Sequence, residues 1–150
     1  MATYQVDSSE VIIVDSTQVE ILLSNAIVNS RRYLYLQGCV GTVAGSWVTF
    51  DENGATALLA ANAVGRVAIA TGAVNLTTKY GWYLVYGDYA TAACDAVAGL
   101  AALYIDATTG RVDDDVVAGD FVFNAYATAA SAANQVAVRI NEPFVTNVLG

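Results

Sequence analysis

Apolar and polar positions follow two different periods along this chain. In the first part, residues 11–14 are a short run of β-branched side chains, which predicts a strand. Residues 17–29 predict a short amphipathic helix, because Thr17 and Glu20 fit a capping box and apolar residues then recur at helical spacing. These apolar residues are Val19, Leu22, Leu23, Ala26 and Ile27. Arg31 and Arg32 would then lie at or just beyond the helix C-terminus, where cations suit the helix dipole.

From Tyr33 onward the period changes to two. Alternating β-branched and aromatic residues predict strands over 33–37, 47–50, 66–70 and 82–86. Residues 51–54 (Asp-Glu-Asn-Gly) predict a turn. The Ala-rich stretch 55–64 fits either a loop or one helical turn.

The second half of the chain predicts two hairpins. Residues 103–105 and 111–112 flank the loop 106–110, and residues 121–126 and 136–140 flank a loop of small residues at 129–134. Short strands at close spacing predict an all-β fold, an antiparallel β-barrel or β-sandwich with a short N-terminal strand or helix segment. We expect residues 1–32 to be an N-terminal arm or helix and residues 33–150 to form the domain.

Composition points toward assembly rather than toward nucleic acid or membrane. Apolar residues make up 56% of the chain and charged residues only 13%, so part of the surface is expected to lie against other copies or partners. The net charge of −8 argues against nucleic-acid binding. Asn62 and Arg66 interrupt the longest apolar stretch, and residues 1–7 lack a signal-peptide pattern, so we expect a protein made in the cytoplasm with no membrane span.

Candidate catalytic chemistry is sparse. The chain has no histidine, which excludes Ser-His-Asp and Cys-His arrangements within it. No glycine-rich phosphate-binding motif occurs. Cys39 and Cys94 lack a CxxC spacing and fit buried free thiols better than a disulfide. We therefore expect no enzymatic activity, no cofactor and no metal.

An acidic cluster in the second half leaves three interpretations open. The hairpin would bring Asp106 near Asp113, with further carboxylates close by in sequence at Asp114, Asp115 and Asp120. A solvated hairpin edge is the favoured interpretation. A weak Ca²⁺ site and glycosidase-like acid–base chemistry are the alternatives, although the spacing matches no Ca²⁺-loop motif.

The aromatic strand and the adjacent basic pair are the candidate interface residues. Alternation places Trp82, Leu84 and Tyr86 on one face of a strand and Tyr83 on the other, and both faces are apolar. This predicts a strand covered by the core on one side and by a subunit on the other, with a sugar- or peptide-stacking platform as the alternative. The predicted interface residues are Arg31, Arg32, Trp82, Tyr83 and Tyr86, since Arg and aromatic residues are enriched at interfaces.

Several segments together resemble the small β-rich decoration (cement) or head-structural proteins of tailed bacteriophages. They lie in the order 32–37, 47–54, 67–70, 80–87, 103–114, and 136–140 through 143–145. Two segments are the most telling. One is 80–87, which starts with Tyr80-Gly81-Trp82 and ends at Gly87, and the other is the hairpin loop with Thr108-Thr109-Gly110. Residues 1–30 fit the resemblance least.

The resemblance implies a virion protein on the capsid exterior that binds the major capsid protein and bridges capsomers. It implies no enzymatic role. Self-association as a homotrimer is favoured, with a dimer as second choice, since closed symmetry is the rule for oligomers. The alternatives are a host-binding adhesin or fibre-head module that uses the Tyr and Trp residues, and an enzyme that uses the acidic cluster.

Overall fold

The computed structural model describes residues 25–148, and these form an antiparallel β-structure without a helix. The predicted all-β fold class is thereby confirmed. Ten strands follow in chain order: β1 Asn25–Val28, β2 Arg31–Gln37, β3 Trp47–Phe50, β4 Thr56–Leu58, β5 Gly65–Ala70, β6 Tyr80–Ala93, β7 Ala102–Ile105, β8 Val112–Asp113, β9 Phe121–Ala127 and β10 Gln135–Val145.

The strands form one sheet that folds over a common core. Its order is β1-β2-β6-β5-β10-β9-β7-β8, with β3 paired to β5 and β4 paired to β3. Strand β10 pairs with both β5 and β6. Among the described strands, β1 pairs with β2 alone and β8 with β7 alone. Trp47 and Trp82 share one buried cluster with Leu103, Val112 and Val122 from the other end of the sheet. The fold is therefore barrel- or sandwich-like, as predicted, although the strand order does not close.

Both faces of the first part of strand β6, residues 80–85, are buried by this chain alone. Trp82 and Leu84 belong to the main core, and Tyr83 and Val85 belong to a second buried cluster on the opposite face. The prediction that a subunit covers one of these faces is wrong. The second cluster is completed within the chain by residues of β2, β3 and β5 and by Val74, so it needs no partner.

A β-bulge in β6 corrects the predicted alternation at Tyr86. Tyr33 pairs with Leu84, but the next residue of β2, Arg32, pairs with Tyr86, so Val85 is the extra residue. One extra residue reverses the alternation beyond it. Tyr86 therefore does not share a face with Trp82 and Leu84. It lies on the outer face of the sheet, beside Arg32 and Arg139.

The predicted helix over 17–29 is wrong for its described part. Residues 25–28 are the strand β1, which pairs with β2 through a two-residue turn at Asn29 and Ser30. Both turn residues have positive φ, 52° and 63°, as a type I′ hairpin turn requires. Arg31 and Arg32 consequently begin β2 instead of ending a helix. The predicted strand at 11–14 and helical residues 17–24 lie outside the described residues.

Most of the remaining predicted elements are present in the structure. The hairpins β7–β8 and β9–β10 are confirmed, as are the strands over 33–37, 47–50, 66–70 and 82–86. The stretch 55–64 contains the short strand β4, which pairs with β3, and no helical turn. The described sheet already includes residues from Asn25, before residue 32, while the predicted division into an arm and a domain stays a prediction. No helix capable of crossing a membrane occurs in the described part of the chain.

Candidate interaction face

Two rows of side chains cross the outer face of the sheet, perpendicular to the strands. The first row runs from β1 to β10 through directly paired residues. Ile27 pairs with Arg32, Arg32 with Tyr86, and Tyr86 with Asn141. Ile27 is 73% exposed, which is unusual for a large apolar side chain in a sheet and marks this row as a place for further contacts.

The second row is aromatic. Tyr104 on β7 meets Phe121 on β9, with ring centroids 5.4 Å apart. Phe121 meets Phe123 edge-on at 4.7 Å, and Phe123 stacks on Phe144 of β10 at 4.8 Å. All four rings are partly exposed, while their strand neighbours Leu103, Ile105, Val122 and Val145 point into the core.

Glu142 joins the two rows. It lies in an irregular part of β10 between Ile140 and Phe144, with a φ of 48°. Its carboxylate accepts a hydrogen bond from Arg32 of the first row and lies 3.5 Å from the Arg66 guanidinium.

Arg66 continues the second row beyond Phe144. It pairs with Phe144 across β5 and β10 and with Phe50 across β5 and β3. Its guanidinium lies over the Phe50 ring at 4.6 Å, which is a cation–π contact. We call the two rows together the arginine–aromatic face.

The charge on this face is opposite in sign to that of the protein. Of the six basic residues of the chain, four lie on this face or at its edge. Arg32 and Arg66 belong to the rows, and Arg31 and Arg139 lie beside the first row. Among residues 25–148, the carboxylates that form ion pairs with them are those of Glu142 and Asp88. On the described part of this face, the four basic side chains thus outnumber their two carboxylate partners, in a chain of net charge −8.

Arg139 and Arg31 are held at the edge of this face by β6. Arg139 donates to the Asp88 carboxylate at 3.0 Å and lies 5.6 Å from the Tyr86 ring centre. The hydrogen bond and charge of Asp88 raise the pKa of Arg139. Arg31 donates from Nε to the Asp88 carbonyl at 2.8 Å. Both cations are positioned by protein contacts before any partner binds.

A shallow cleft of about 310 Å³ lies at the start of the first row. Its walls are mostly apolar, and its lining includes Ile27, Arg31, Arg32, Tyr86 and Glu142. We call it the arginine cleft. Apolar side chains rimmed by fixed guanidinium groups suit an extended segment that carries both apolar and acidic side chains.

The predicted interface residues divide into two groups. Arg31, Arg32 and Tyr86 come together in the arginine cleft. Trp82 and Tyr83 are 1% and 0% exposed, so their assignment to an interface or to a sugar-stacking platform is wrong. Tyr83 is core because its ring packs in the second cluster, and burial raises the pKa of its hydroxyl.

The aromatic row was not predicted from sequence. Phe121 and Phe123 alternate with the apolar Val122, and the strand therefore looks apolar on both faces, as β6 does. The two strands differ in what covers their second face. For β6 a second buried cluster covers it, whereas for β9 the rings stay partly exposed. Only the three-dimensional structure separates these cases.

The acidic cluster is more buried than predicted. Asp106, Asp113 and Asp120 are at most 9% exposed, so a solvated edge is the wrong description for them. Each accepts a backbone hydrogen bond, from Thr108, Asp115 and Asn62 respectively.

Asp106 and Asp113 lie side by side, as the hairpin predicted. Burial raises the pKa of Asp113 to about 7, and a hydrogen bond with Asp106 and its charge add to the effect. The pair is suited to hold a shared proton. Within residues 25–148, no three His, Cys, Asp or Glu side chains are grouped so that they could hold a metal ion.

Two further features offer no ionisable pair for chemistry. A larger cleft of about 430 Å³ is lined mainly by small and polar residues, with Arg111 as its one charged lining residue among those described. Cys39 and Cys94 are free thiols; Cys94 is buried, and burial raises its pKa.

Comparison with protein-family models, with curated proteins and with solved structures finds no match to this chain.

Proposed function

We propose that this protein is a structural component of a phage virion that binds the outer surface of the capsid and bridges neighbouring capsomers. The observation that carries the proposal is the arginine–aromatic face. Arg, Tyr and Phe are the residue types enriched at protein–protein interfaces. The capsid is named as the partner on the resemblance of segments 32–37, 80–87 and 103–114 that the sequence suggested.

The aromatic row supplies the contact energy in this proposal. Phe121, Phe123 and Phe144 present a continuous apolar surface, and burial of apolar surface is worth about 25 cal/mol per Å². The arginines orient the partner, because cations held in fixed positions favour one alignment of an acidic partner surface over others. Each copy need add only a few kcal/mol, since many copies that favour one shell state act together.

The proposal assigns the protein no catalytic step. The adhesin alternative relied on a platform of Trp and Tyr rings, and the main members of that platform, Trp82 and Tyr83, are buried. The enzyme alternative relied on the acidic cluster, whose buried members are engaged by backbone amides. The arginine–aromatic face, with partly exposed rings on paired strands, is a surface that an assembly contact could use.

The direct test uses shells assembled from the major capsid protein encoded in the same genome. Purified protein should co-sediment with the shells and appear as extra density outside them in electron micrographs. The Phe123→Ser/Phe144→Ser variant should bind at least about tenfold more weakly, because interface aromatic side chains dominate binding energy. The control variant is Val116→Ser. Val116 is 79% exposed and lies on the loop between β8 and β9, so this variant should bind the shells as the unchanged protein does.

Two outcomes would contradict the proposal. One is a genome that encodes no shell protein, and the other is absence of binding to immature and mature shells alike. Self-association is the second part of the proposal, with a homotrimer favoured over a dimer. Sedimentation equilibrium measures it, and a strict monomer at high concentration would remove this part while leaving capsid binding to its own test.

A further inference from the structure

We propose that the cleft of about 430 Å³, where residues 41–46, 108–111 and 133–135 meet the end of β6, binds an acidic saccharide. We call it the polar cleft. Its volume lies in the range of about 300–1,000 Å³ that is usual for small-molecule sites. The site goes beyond the proposed function and lies apart from the arginine–aromatic face. Along β6, Thr91 of the cleft is roughly 16 Å beyond Tyr86, at about 3.3 Å per residue.

The walls of the polar cleft carry groups that form hydrogen bonds. The lining residues with hydroxyl or amide side chains are Ser46, Thr91, Thr108, Thr109, Asn134 and Gln135. Each of these side chains can both donate and accept hydrogen bonds, as the hydroxyl groups of a sugar can. An apolar ligand would take water away from these groups without replacing its hydrogen bonds, which is unfavourable. The lining therefore favours a ligand rich in hydroxyl groups.

Arg111 adds the charge that favours an acidic sugar over a neutral one. It is partly exposed and is the one charged residue among the described lining residues. A guanidinium group binds a carboxylate through two parallel hydrogen bonds. Asp106 of the same hairpin is only 7% exposed, and its carboxylate accepts a hydrogen bond from the Thr108 amide. In a chain of net charge −8, the cleft thus presents a cation to its ligand.

Backbone hydrogen bonds hold the walls of the polar cleft in place. The Gly110 amide donates to the Leu59 carbonyl at 2.8 Å, and the Gly110 carbonyl accepts from the Trp47 amide at 3.0 Å. On the opposite wall, the Gly45 carbonyl accepts from the Ala93 amide at 2.9 Å. Binding to loops that are already ordered avoids the entropic cost of ordering them.

Gly45 shows that the close approach of two walls is specified by the sequence. Its φ is 90°, and a Cβ placed there would lie 2.4 Å from the carbonyl oxygen of Thr91. Glycine is the residue that allows the loop before β3 to approach the end of β6 this closely. The described lining contains no aromatic ring, so hydrogen bonds and charge, and not stacking, supply the affinity.

An NMR titration of the full chain tests the proposal. The probes are methyl glucuronide and the methyl glycoside of N-acetylneuraminic acid, which are two acidic sugars, and methyl glucoside, which has the ring of the first without its carboxylate. At least one acidic sugar should shift the amide signals of residues 108–111 and 133–135 saturably, with a Kd on the order of millimolar or lower. Methyl glucoside should bind at least about tenfold more weakly, because it cannot form the charge-assisted hydrogen bonds with Arg111.

Two pairs of variants assign the contacts. Arg111→Gln should weaken binding of the acidic sugar at least about tenfold, whereas Lys79→Gln, which removes the same charge outside the described lining, should bind as the unchanged protein does. Thr109→Val should weaken binding several-fold, and Thr78→Val, on the loop before β6, should leave it unchanged. Both threonines are exposed, so this second pair keeps the test decisive even where Arg111→Gln disturbs folding.

Three results would overturn the proposal. Neither acidic sugar could shift the cleft amides saturably at concentrations up to about 50 mM. Methyl glucoside could bind as tightly as the acidic sugars, which would remove the role of the charge. Sodium acetate could produce the same shifts at the same concentrations, which would show a site for any small anion. None of these results bears on shell binding, which has its own test on the arginine–aromatic face.

Discussion

Phe123 and Phe144 stack across β9 and β10 with ring centroids 4.8 Å apart and planes 6° from parallel. The two residues are directly paired in the sheet, at the point where β10 resumes regular pairing after its irregular segment at Glu142. The stack therefore fixes the register of β10 and builds the aromatic row at the same place.

A double-mutant cycle measures this relationship. Phe123→Ala and Phe144→Ala should each lower the free energy of unfolding, and their effects should be non-additive by about 0.5–1.5 kcal/mol, the usual value for an aromatic pair. Urea unfolding of the two single variants and the double variant gives the coupling. Phe144→Ala combined with Leu76→Ala, which lies on a loop elsewhere, serves as the additive control. Simple additivity in both combinations would contradict the stack.

The Glu142 contacts predict a small and salt-sensitive effect. Glu142 is 49% exposed, and its partners Arg32 and Arg66 are 32% and 56% exposed in their side chains. Pairs this exposed contribute about 0–1 kcal/mol. Glu142→Gln should therefore lower the free energy of unfolding by less than about 1 kcal/mol at low salt, and by nearly nothing at 1 M NaCl, where charges are screened within about 3 Å.

The larger expected effect of Glu142→Gln is on binding of acidic partners. With the carboxylate neutralised, Arg32 and Arg66 become free to pair elsewhere, so an acidic peptide should bind this face more tightly than it binds the unchanged protein. Fluorescence anisotropy of a labelled acidic peptide measures the difference. Asp95→Asn, at an exposed position after β6 and outside both rows, is the matched control. Equal affinity of all three proteins would argue that Glu142 does not hold the two arginines.

The strands and hairpins could be predicted from sequence because local alternation and turn chemistry specify them. The β9–β10 hairpin and the approach of Asp106 to Asp113 are examples. Tyr86 shows the limit, since its face depends on the bulge at Val85, which is seen only in the pairing with β2.

The error at residues 25–29 has a different cause. The residues Ala26 and Ile27 fit helical spacing, but Asn29 and Ser30 can adopt left-handed backbone conformations that close a tight turn. Pairing of β1 with β2 then outweighs the weak intrinsic helix preference. The arginine–aromatic face was missed for a third reason, since its rows join residues from strands far apart in the chain.

Gly87 is expected to be intolerant of any side chain. Its φ is 118°, and a Cβ placed there would lie 2.9 Å from Cγ of Arg31. Gly87→Ala should lower the free energy of unfolding by about 1–2 kcal/mol or more, through backbone strain and displacement of Arg31. Gly99→Ala is the control, because the nearest atom to its Cβ would be 3.4 Å away and its φ is not positive. A smaller loss for Gly87→Ala than for Gly99→Ala would contradict the strained backbone and the close approach of Arg31 at Gly87.

The raised pKa of Asp113 predicts that the free energy of unfolding depends on pH. Its folded-state pKa of about 7 lies above the ordinary value of 3.8, chiefly because the carboxyl is buried. Folding therefore favours the protonated form. The stabilisation is fully present below about pH 3.8 and is lost as the pH rises through 7. Because Asp106 also raises the pKa of Asp113, this loss of stability is a property of the two carboxyl groups together.

The change that tests this is Asp113→Asn, which keeps the shape of the side chain and can still donate to Asp106 while it no longer ionises. Urea unfolding at pH 5 and pH 8 should show the unchanged protein losing on the order of 1–3 kcal/mol between the two values, and the variant losing less. Glu52→Gln removes one exposed charge and should retain the full dependence, which separates the buried pair from general repulsion in a protein of net charge −8. If Asp113→Asn and Glu52→Gln show the same slope, Asp113 is ionised at neutral pH and the shared proton is absent.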